Sequence, residues 1–397
     1  MTLLSQRVQK VAPSLTLAIS AKAKELRAQG DDVIAFGAGE PDFDTPDFIK
    51  QETITQLQNG FTRYTSASGI PELKKAIQAK FKRENNLNYE LNEIIVSCGA
   101  KHSLYNLFQV LCDVGDEVLL PAPYWVSYLP QIELAGAVPV ILDTQKNDFF
   151  IDLKDLESKI TSKTKILLLN NPSNPTGVFY DKAFLEKLAQ IVLKHDLWVI
   201  SDEIYEHLIY TGQPYVSIAN ISDEIKAKTI VVNGVSKSYA MTGWRIGYLA
   251  GNKDVAGAVN RIQSHSTSNP VSFAQKGAVV ALNKGHDFTK ELRNIFVKRR
   301  DLIYEKISAL SEFKVQKPKG AFYIFPDVSY FYGKSYEGKT IKGSLDFSNL
   351  LLKSEKVAVV PGVAFGADNF IRLSYAVSEK DIAEGINRIE KFINKLK

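Results

Sequence analysis

The strongest constraint on this chain is a repeated unit: a short apolar run, a polar cluster at its end, then a helical stretch. Glu93-Ile94-Ile95-Val96-Ser97 runs into Cys98-Gly99-Ala100-Lys101, and Glu117-Val118-Leu119-Leu120 into Pro121-Ala122-Pro123-Tyr124-Trp125. Lys165-Ile166-Leu167-Leu168-Leu169 ends in Asn170-Asn171-Pro172-Ser173-Asn174-Pro175-Thr176-Gly177. Leu197-Trp198-Val199-Ile200-Ser201 ends in Asp202-Glu203-Ile204-Tyr205, and Thr229-Ile230-Val231-Val232-Asn233 leads to Ser236-Lys237. Near-continuous apolar runs of this kind read as strands covered on both faces. The stretches between them, such as 181–195 with Phe184, Leu188, Ile191 and Val192, carry helical periodicity. Strands alternating with helices predict an α/β chain with a mainly parallel central sheet and right-handed crossovers. Ligands in such sheets sit at the carboxyl ends of the strands, where Gly99-Ala100, Asn174, Asp202 with Tyr205, and Ser236-Lys237 all fall.

At 397 residues the chain can bury a large core and is expected to form a larger and a smaller domain. A net charge of +5 is small for that length, and no basic block is interleaved with aromatics, so nucleic acid is not an expected partner. Cys98 and Cys112 stand in apolar context with no zinc spacing, which points to a reducing compartment and no metal site. Met1 to Ser20 lacks an apolar core behind a basic flank, and no stretch reaches the roughly 18 apolar residues of a membrane span. The expectation is a cytoplasmic protein with no membrane partner.

Outside the repeated units, residues 14–29 read as a helix whose apolar first turns (Leu15, Leu17, Ile19) suggest cover from another subunit. Val33 to Phe36 reads as a strand. Gly37 to Pro46 holds two glycines and two prolines, so it is either a loop bringing backbone to a ligand or a linker. Pro71 opens a helix with Leu73, Ile77 and Phe81 on one stripe. Beyond Gly251 long helices are expected over 253–265, 272–284 and 287–310, with Lys298-Arg299-Arg300 on a solvated face. Gly320 to Phe325 and Val357 to Val360 read as strands of a second, smaller sheet; 330–343 reads as a mobile surface loop. The last helix carries Ile382, Ile386, Ile389 and Ile393.

The stretch Ser236-Lys237-Ser238-Tyr239-Ala240-Met241-Thr242-Gly243-Trp244-Arg245-Ile246-Gly247 sets two cations among apolar residues and glycines. Such cations need a partner. A solvated surface turn is one explanation. A phosphorylated aldehyde is the other: Lys237 bonding it as a Schiff base, Ser236 and Arg245 holding its phosphate.

With Ser-Asn-Pro-Thr-Gly at 173–177, Ser-Asp-Glu-Ile-Tyr at 201–205, the stretch 236–247 and Ile-Arg-Leu-Ser-Tyr-Ala at 371–376, the chain resembles the class I aminotransferases. Gly-Glu-Pro-Asp-Phe-Asp-Thr-Pro at 39–46 and Pro-Tyr-Trp-Val-Ser-Tyr at 123–128 make it most similar to bacterial aspartate aminotransferases. The resemblance runs from Leu15 to the end. It implies fold type I of the pyridoxal-phosphate enzymes, with a large domain over 47–290 and a small α+β domain built from 1–46 and 291–397. It also implies pyridoxal 5'-phosphate on Lys237, and a homodimer with shared sites. By the same resemblance Asp202 keeps the pyridine nitrogen protonated, Asn174 and Tyr205 bond the ring oxygen, and Trp125 stacks on the ring. Gly99, Ala100, Ser236 and Arg245 hold the phosphate, joined by Tyr64 from the neighbouring subunit. Arg372 grips the substrate α-carboxylate and Gly39 offers its backbone to the same substrate.

The resemblance implies amino transfer from L-aspartate to 2-oxoglutarate by a ping-pong cycle. No second arginine for the side-chain carboxylate is found in 265–270, and Lys101 takes that role in the bacterial subgroup. Members that accept prephenate carry a basic residue where this chain has Ala12. The other readings are a broad-specificity or aromatic aminotransferase, a lyase on the same scaffold, and a non-catalytic ligand-binding module, against which Lys237, Asp202 and Arg372 together argue.

Overall fold

The computed structural model describes residues 3–9 and 11–397. Met1, Thr2 and Lys10, part of the leader and first-segment expectations, lie outside the described residues. The strands in chain order are β1 (Ile34–Ala35), β2 (Ile94–Ser97), β3 (Glu117–Ala122), β4 (Val138–Asp143), β5 (Thr164–Asn170), β6 (Trp198–Asp202) and β7 (Thr229–Gly234). They continue with β8 (Gly247–Ala250), β9 (Tyr323–Ile324), β10 (Ser335–Tyr336), β11 (Lys339–Thr340), β12 (Val357–Ala358), β13 (Val360–Pro361) and β14 (Ile371–Ser374).

The large sheet has seven strands in the order β2-β8-β7-β6-β5-β3-β4. The pairs from β4 to β7 are parallel, whereas β8 runs antiparallel to both β7 and β2. Thus the sheet is mainly parallel as expected. β7 and β8 can be antiparallel neighbours because only the turn carrying Lys237, with no crossover helix, separates them. All residues of β7 and β8 are buried, which explains why their sequences show no alternation. The register of β5 on β6 sets Asn170 beside Asp202 at the carboxyl edge.

Helices cover both faces. The helix Lys182–Lys194, capped by Asp181, packs Leu185, Leu188 and Val192 on one side, and Ala100–Leu111 packs Leu104, Leu107 and Phe108 on the other. A separate apolar cluster gathers Ile34 and Phe36 near the start of the chain with Leu292, Phe296, Ile371, Leu373, Ile382, Ile386 and Phe392 near its end. β1 pairs in parallel with β12, and a side chain at Gly385 would come within 2.3 Å of the Phe36 ring. Each fully buried side chain of this kind contributes about 1.5–3 kcal/mol, so packing adds to the β1–β12 pairing in tying the two ends of the chain together.

Three expectations change. The predicted second sheet is split: β12 pairs with β1, while β13-β14-β9 form a three-stranded antiparallel unit in which only Tyr323–Ile324 of 320–325 is strand. The stretch 330–343 is not simply a loop. It holds the β10–β11 hairpin, turning at Glu337-Gly338 with positive φ at both, and seats Ile341 in the core. Finally, Arg299 and Arg300, on the helix His286–Ser308, are buried. Arg299 grips Asp42 through two bonds of 2.6 and 3.0 Å and lies over the Phe43 ring, and Arg300 lies over Tyr210. Both long side chains bury their stems; the Arg299 head finds Asp42 far off in sequence, while the Arg300 head also pairs with its neighbour Asp301 at 2.8 Å.

Candidate active site

A cavity of about 430 Å³ opens at the carboxyl edge of the large sheet. Its wall includes Gly39, Ala100, Lys101, Trp125, Asn174, Asp202, Tyr205, Ser236, Lys237, Arg245 and Arg372, brought together from five strand ends and two loops. Gly99 stands directly behind the wall. Its φ of +88° and its contact with Arg245 leave no room for a side chain, since a Cβ would lie 2.4 Å from the guanidinium. Tyr64 is not brought into this cavity; it is 92% exposed.

Lys237 leaves the turn after β7 and points its amine at the Gly39 carbonyl, 2.5 Å away. Burial lowers its pKa to about 8, Arg372 and Arg245 push the same way, and Glu40 and Asp202 oppose them. A lysine so held is still mostly charged at pH 7 but yields its neutral, nucleophilic form at modest cost. Asp202, at the end of β6, is 4% exposed. Its Oδ2 accepts the Tyr128 hydroxyl at 2.7 Å and its Oδ1 the Ile204 amide at 3.2 Å. Burial raises its pKa to about 6, held down by Tyr128, the Ile204 amide and Lys237.

Arg372, on β14, is 3% exposed and has no carboxylate partner among the described residues. It donates to Asn174 Oδ1 at 3.1 Å and to the Gly37 carbonyl at 3.0 Å, and its Nε, though buried, has no partner. Tyr323 and Phe365 flank its plane at 4.4 and 5.0 Å. A buried structural ion pair is therefore ruled out, and an unfilled fork of this shape suits a planar carboxylate. Arg245 likewise meets only carbonyls, of Thr242 at 2.9 Å and Cys98 at 3.3 Å. Lys101 lies 4.8 Å over the Trp125 ring; burial lowers its pKa, and Arg245 adds to this. The cavity thus sets four cations against Asp202 and is built for anions.

The anion cradle has a backbone part as well. Ala100 opens a helix of twelve residues, so its first N–H groups and dipole face the cavity beside Ser236 and Arg245. β8 presses against this helix start, where a Cβ on Gly247 would lie 2.1 Å from the Ala100 nitrogen.

Sequence reasoning missed several wall residues. Tyr128 falls in the quoted motif 123–128 but carried no role. Tyr323, whose hydroxyl is 2.8 Å from that of Tyr205, sits in a stretch expected only as strand. Thr16, Leu17 and Ser20 reach the cavity from the helix Leu15–Ala28, which buries only Ala23. Its uncovered apolar turn was the one signal.

The family model for aminotransferase class I and II matches residues 31–389. The chain belongs to this family. Among its relatives, the aspartate aminotransferase of Bacillus sp. (strain YM-2) is 52% identical over 98% of this chain and 99% of its own. The probable aspartate/prephenate aminotransferase of Aquifex aeolicus is 49% identical over 99% of both. Of solved structures, the aspartate aminotransferase from Rhizobium meliloti superposes with a TM-score of 0.95 at 42% identity over the full length of both chains. That from Thermus thermophilus, solved with maleate, gives 0.93 at 42% identity over 99% of this chain and all of its own. The chain is a class I, pyridoxal-phosphate-dependent aminotransferase of fold type I, related to the bacterial aspartate aminotransferases.

The residues present fit that cofactor: an arginine bonded to carbonyls and a helix start for its phosphate, a buried carboxylate, and a lysine of lowered pKa, all along one cavity. Among the described residues no helix is long and apolar enough to cross a membrane.

Proposed function

We propose that this aminotransferase moves the amino group of L-aspartate to 2-oxoglutarate, giving oxaloacetate and L-glutamate in two half-reactions. The observation that carries this reading is the pair of cations without acidic partners, Arg372 and Lys101, on one cavity wall. Two such cations match two carboxylates, and a relative solved with the dicarboxylate maleate supports the same substrate class.

Pyridoxal phosphate, when bound, supplies an electron sink for the carbanion formed at the substrate Cα. The chain does the rest. Ser236, Arg245 and the amides of Gly99 and Ala100 hold the phosphate, with Tyr64 of the partner subunit in a homodimer. Asp202, kept ionised by Tyr128, pairs with the ring nitrogen, Asn174 and Tyr205 bond the ring oxygen, and Trp125 stacks against the ring. Arg372 and the Gly39 backbone orient the α-carboxylate and Lys101 the side-chain carboxylate. Lys237 Nζ would take the proton from Cα and hold it for return. The described residues of 1–46 with 291–397 make up a small domain that closes the cavity against 47–290; the shared apolar cluster of the two chain ends supports this.

Replacing Lys101 with Ser should lower kcat/KM for aspartate roughly tenfold to a hundredfold more than for alanine, the worth of one charge-assisted bond. Equal losses for both donors, or prephenate as the better acceptor, would overturn the assignment. Exposure of Tyr64 and of Ile54 and Leu57 supports the homodimer, and a single-chain mass in sedimentation would contradict it.

A further inference from the structure

Behind the Lys237 turn lies a polar chain with no task in the chemistry above. Ser238 follows Lys237 directly, is 2% exposed and bonds only one side chain. That side chain is His207, whose Nδ1 lies 2.8 Å from Ser238 Oγ and whose Nε2 lies 3.1 Å from Glu84 Oε2. Glu84 is itself fixed by Arg83 at 2.6 Å, with Lys80 and His286 each at 3.6 Å. Glu206, bonded by Lys80, Asn85 and Asn233, comes within 3.9 Å of His207 Nδ1, and the Tyr239 ring meets the imidazole edge-on at 6.3 Å.

The turn needs such an anchor. Its own backbone bonds, Tyr239 N–H to Val235 and Met241 N–H to Ser236, are long at 3.3 and 3.2 Å, and Ala240 sits at a φ of +51°. Among the side-chain bonds that pin it are Thr45 to the Ala240 carbonyl at 2.7 Å on one side and the His207–Ser238 pair on the other. Burial works against the Glu84 carboxylate, yet His207, Lys80 and Arg83 bring its pKa to about 2. Glu84 thus occupies Nε2 of His207, and Nδ1 shares the second hydrogen bond with the Ser238 hydroxyl.

We propose that His207 is a positioning residue for this reaction: oriented by Glu84, it holds Ser238 and so keeps the amine of Lys237 in place. This rests on Lys237 being the catalytic base. A loosened turn lets the amine reach water and escape Arg245 and Arg372, so its charged form becomes easier to make.

The test uses the cofactor-loaded protein and the variants Ser238→Ala, His207→Ala, His207→Asn and the double Ser238→Ala/His207→Ala. Three quantities are read: kcat, KM for aspartate, and the pH midpoint of the bound cofactor's absorbance. Ser238→Ala and His207→Ala should each lower kcat about tenfold, leave KM within about twofold and raise the midpoint. The double variant should be no worse than either single one, because both cut one chain. His207→Asn, which keeps an acceptor near Nδ1, should recover most of the loss. Unchanged kcat and midpoint, even with a lower melting temperature, would overturn the proposal, as would multiplying losses. Ser238→Ala is near-isosteric and keeps the test open should the histidine variants fail to fold. A wild-type protein without a chromophore would instead sink the reading of Lys237 itself.

Discussion

Lys237 and Asp202 show how burial makes reactive groups out of ordinary ones, and the same step explains what a sequence can and cannot reveal. Lys237 and Asp202 were legible because each stands in a motif at a strand end, and Arg372 because the stretch 371–376 carries the family resemblance. Their partners were not: Tyr128 reaches Asp202 across 74 positions, and Arg372 finds Asn174 across 198. The pair Arg299–Asp42 spans 257 positions, so Lys298-Arg299-Arg300 read as a solvated face. Residue type told the charge but not the partner. Tyr128 gives a test with a defined sign. Its hydrogen bond lowers the pKa of Asp202, which burial raises to about 6, so Tyr128→Phe must raise it further. Activity that needs the ionised carboxylate should then fail at a higher pH. The acid limb of the kcat/KM profile should move up and the rate on its plateau should fall about tenfold. An unmoved limb would show that Tyr128 does not act through Asp202.

At the scale of elements, apolar runs, Val138 to Leu142 included, and helical stripes located every strand of the large sheet except β8, where Gly247–Ala250 follows the Lys237 turn with no helix to announce a new strand. The small sheets were harder, because strands of two residues carry no period and pair with partners over three hundred positions away, as Ile34 does with Val357. β8 matters for function through Gly247, which lets the strand touch the helix Ala100–Leu111 at its start. Adding a methyl there forces the helix off the sheet and turns its N–H groups away from the cradle. Gly247→Ala should weaken pyridoxal phosphate binding at least about tenfold, measured by equilibrium dialysis on the apoprotein. Wild-type affinity in a folded variant would mean that this helix start does not hold the phosphate.

Taken whole, the molecule places one cavity between a sheet that supplies Asn174, Asp202, Lys237 and Arg245 and chain-end elements that supply Gly39, Tyr323 and Arg372. A substrate held by Arg372 and a cofactor held by Arg245, as proposed above, would therefore join both parts of the fold. The motifs foretold that gathering, while the helix Leu15–Ala28 at its rim was marked only by an uncovered apolar turn. The account depends above all on a covalent bond between the cofactor and a single lysine. Borohydride reduction of the pyridoxal-phosphate-loaded protein, followed by digestion and mass mapping, reads that bond directly. The added cofactor mass should fall on Lys237 and vanish in Lys237→Ala; a label on any other lysine, or none at all, would contradict it.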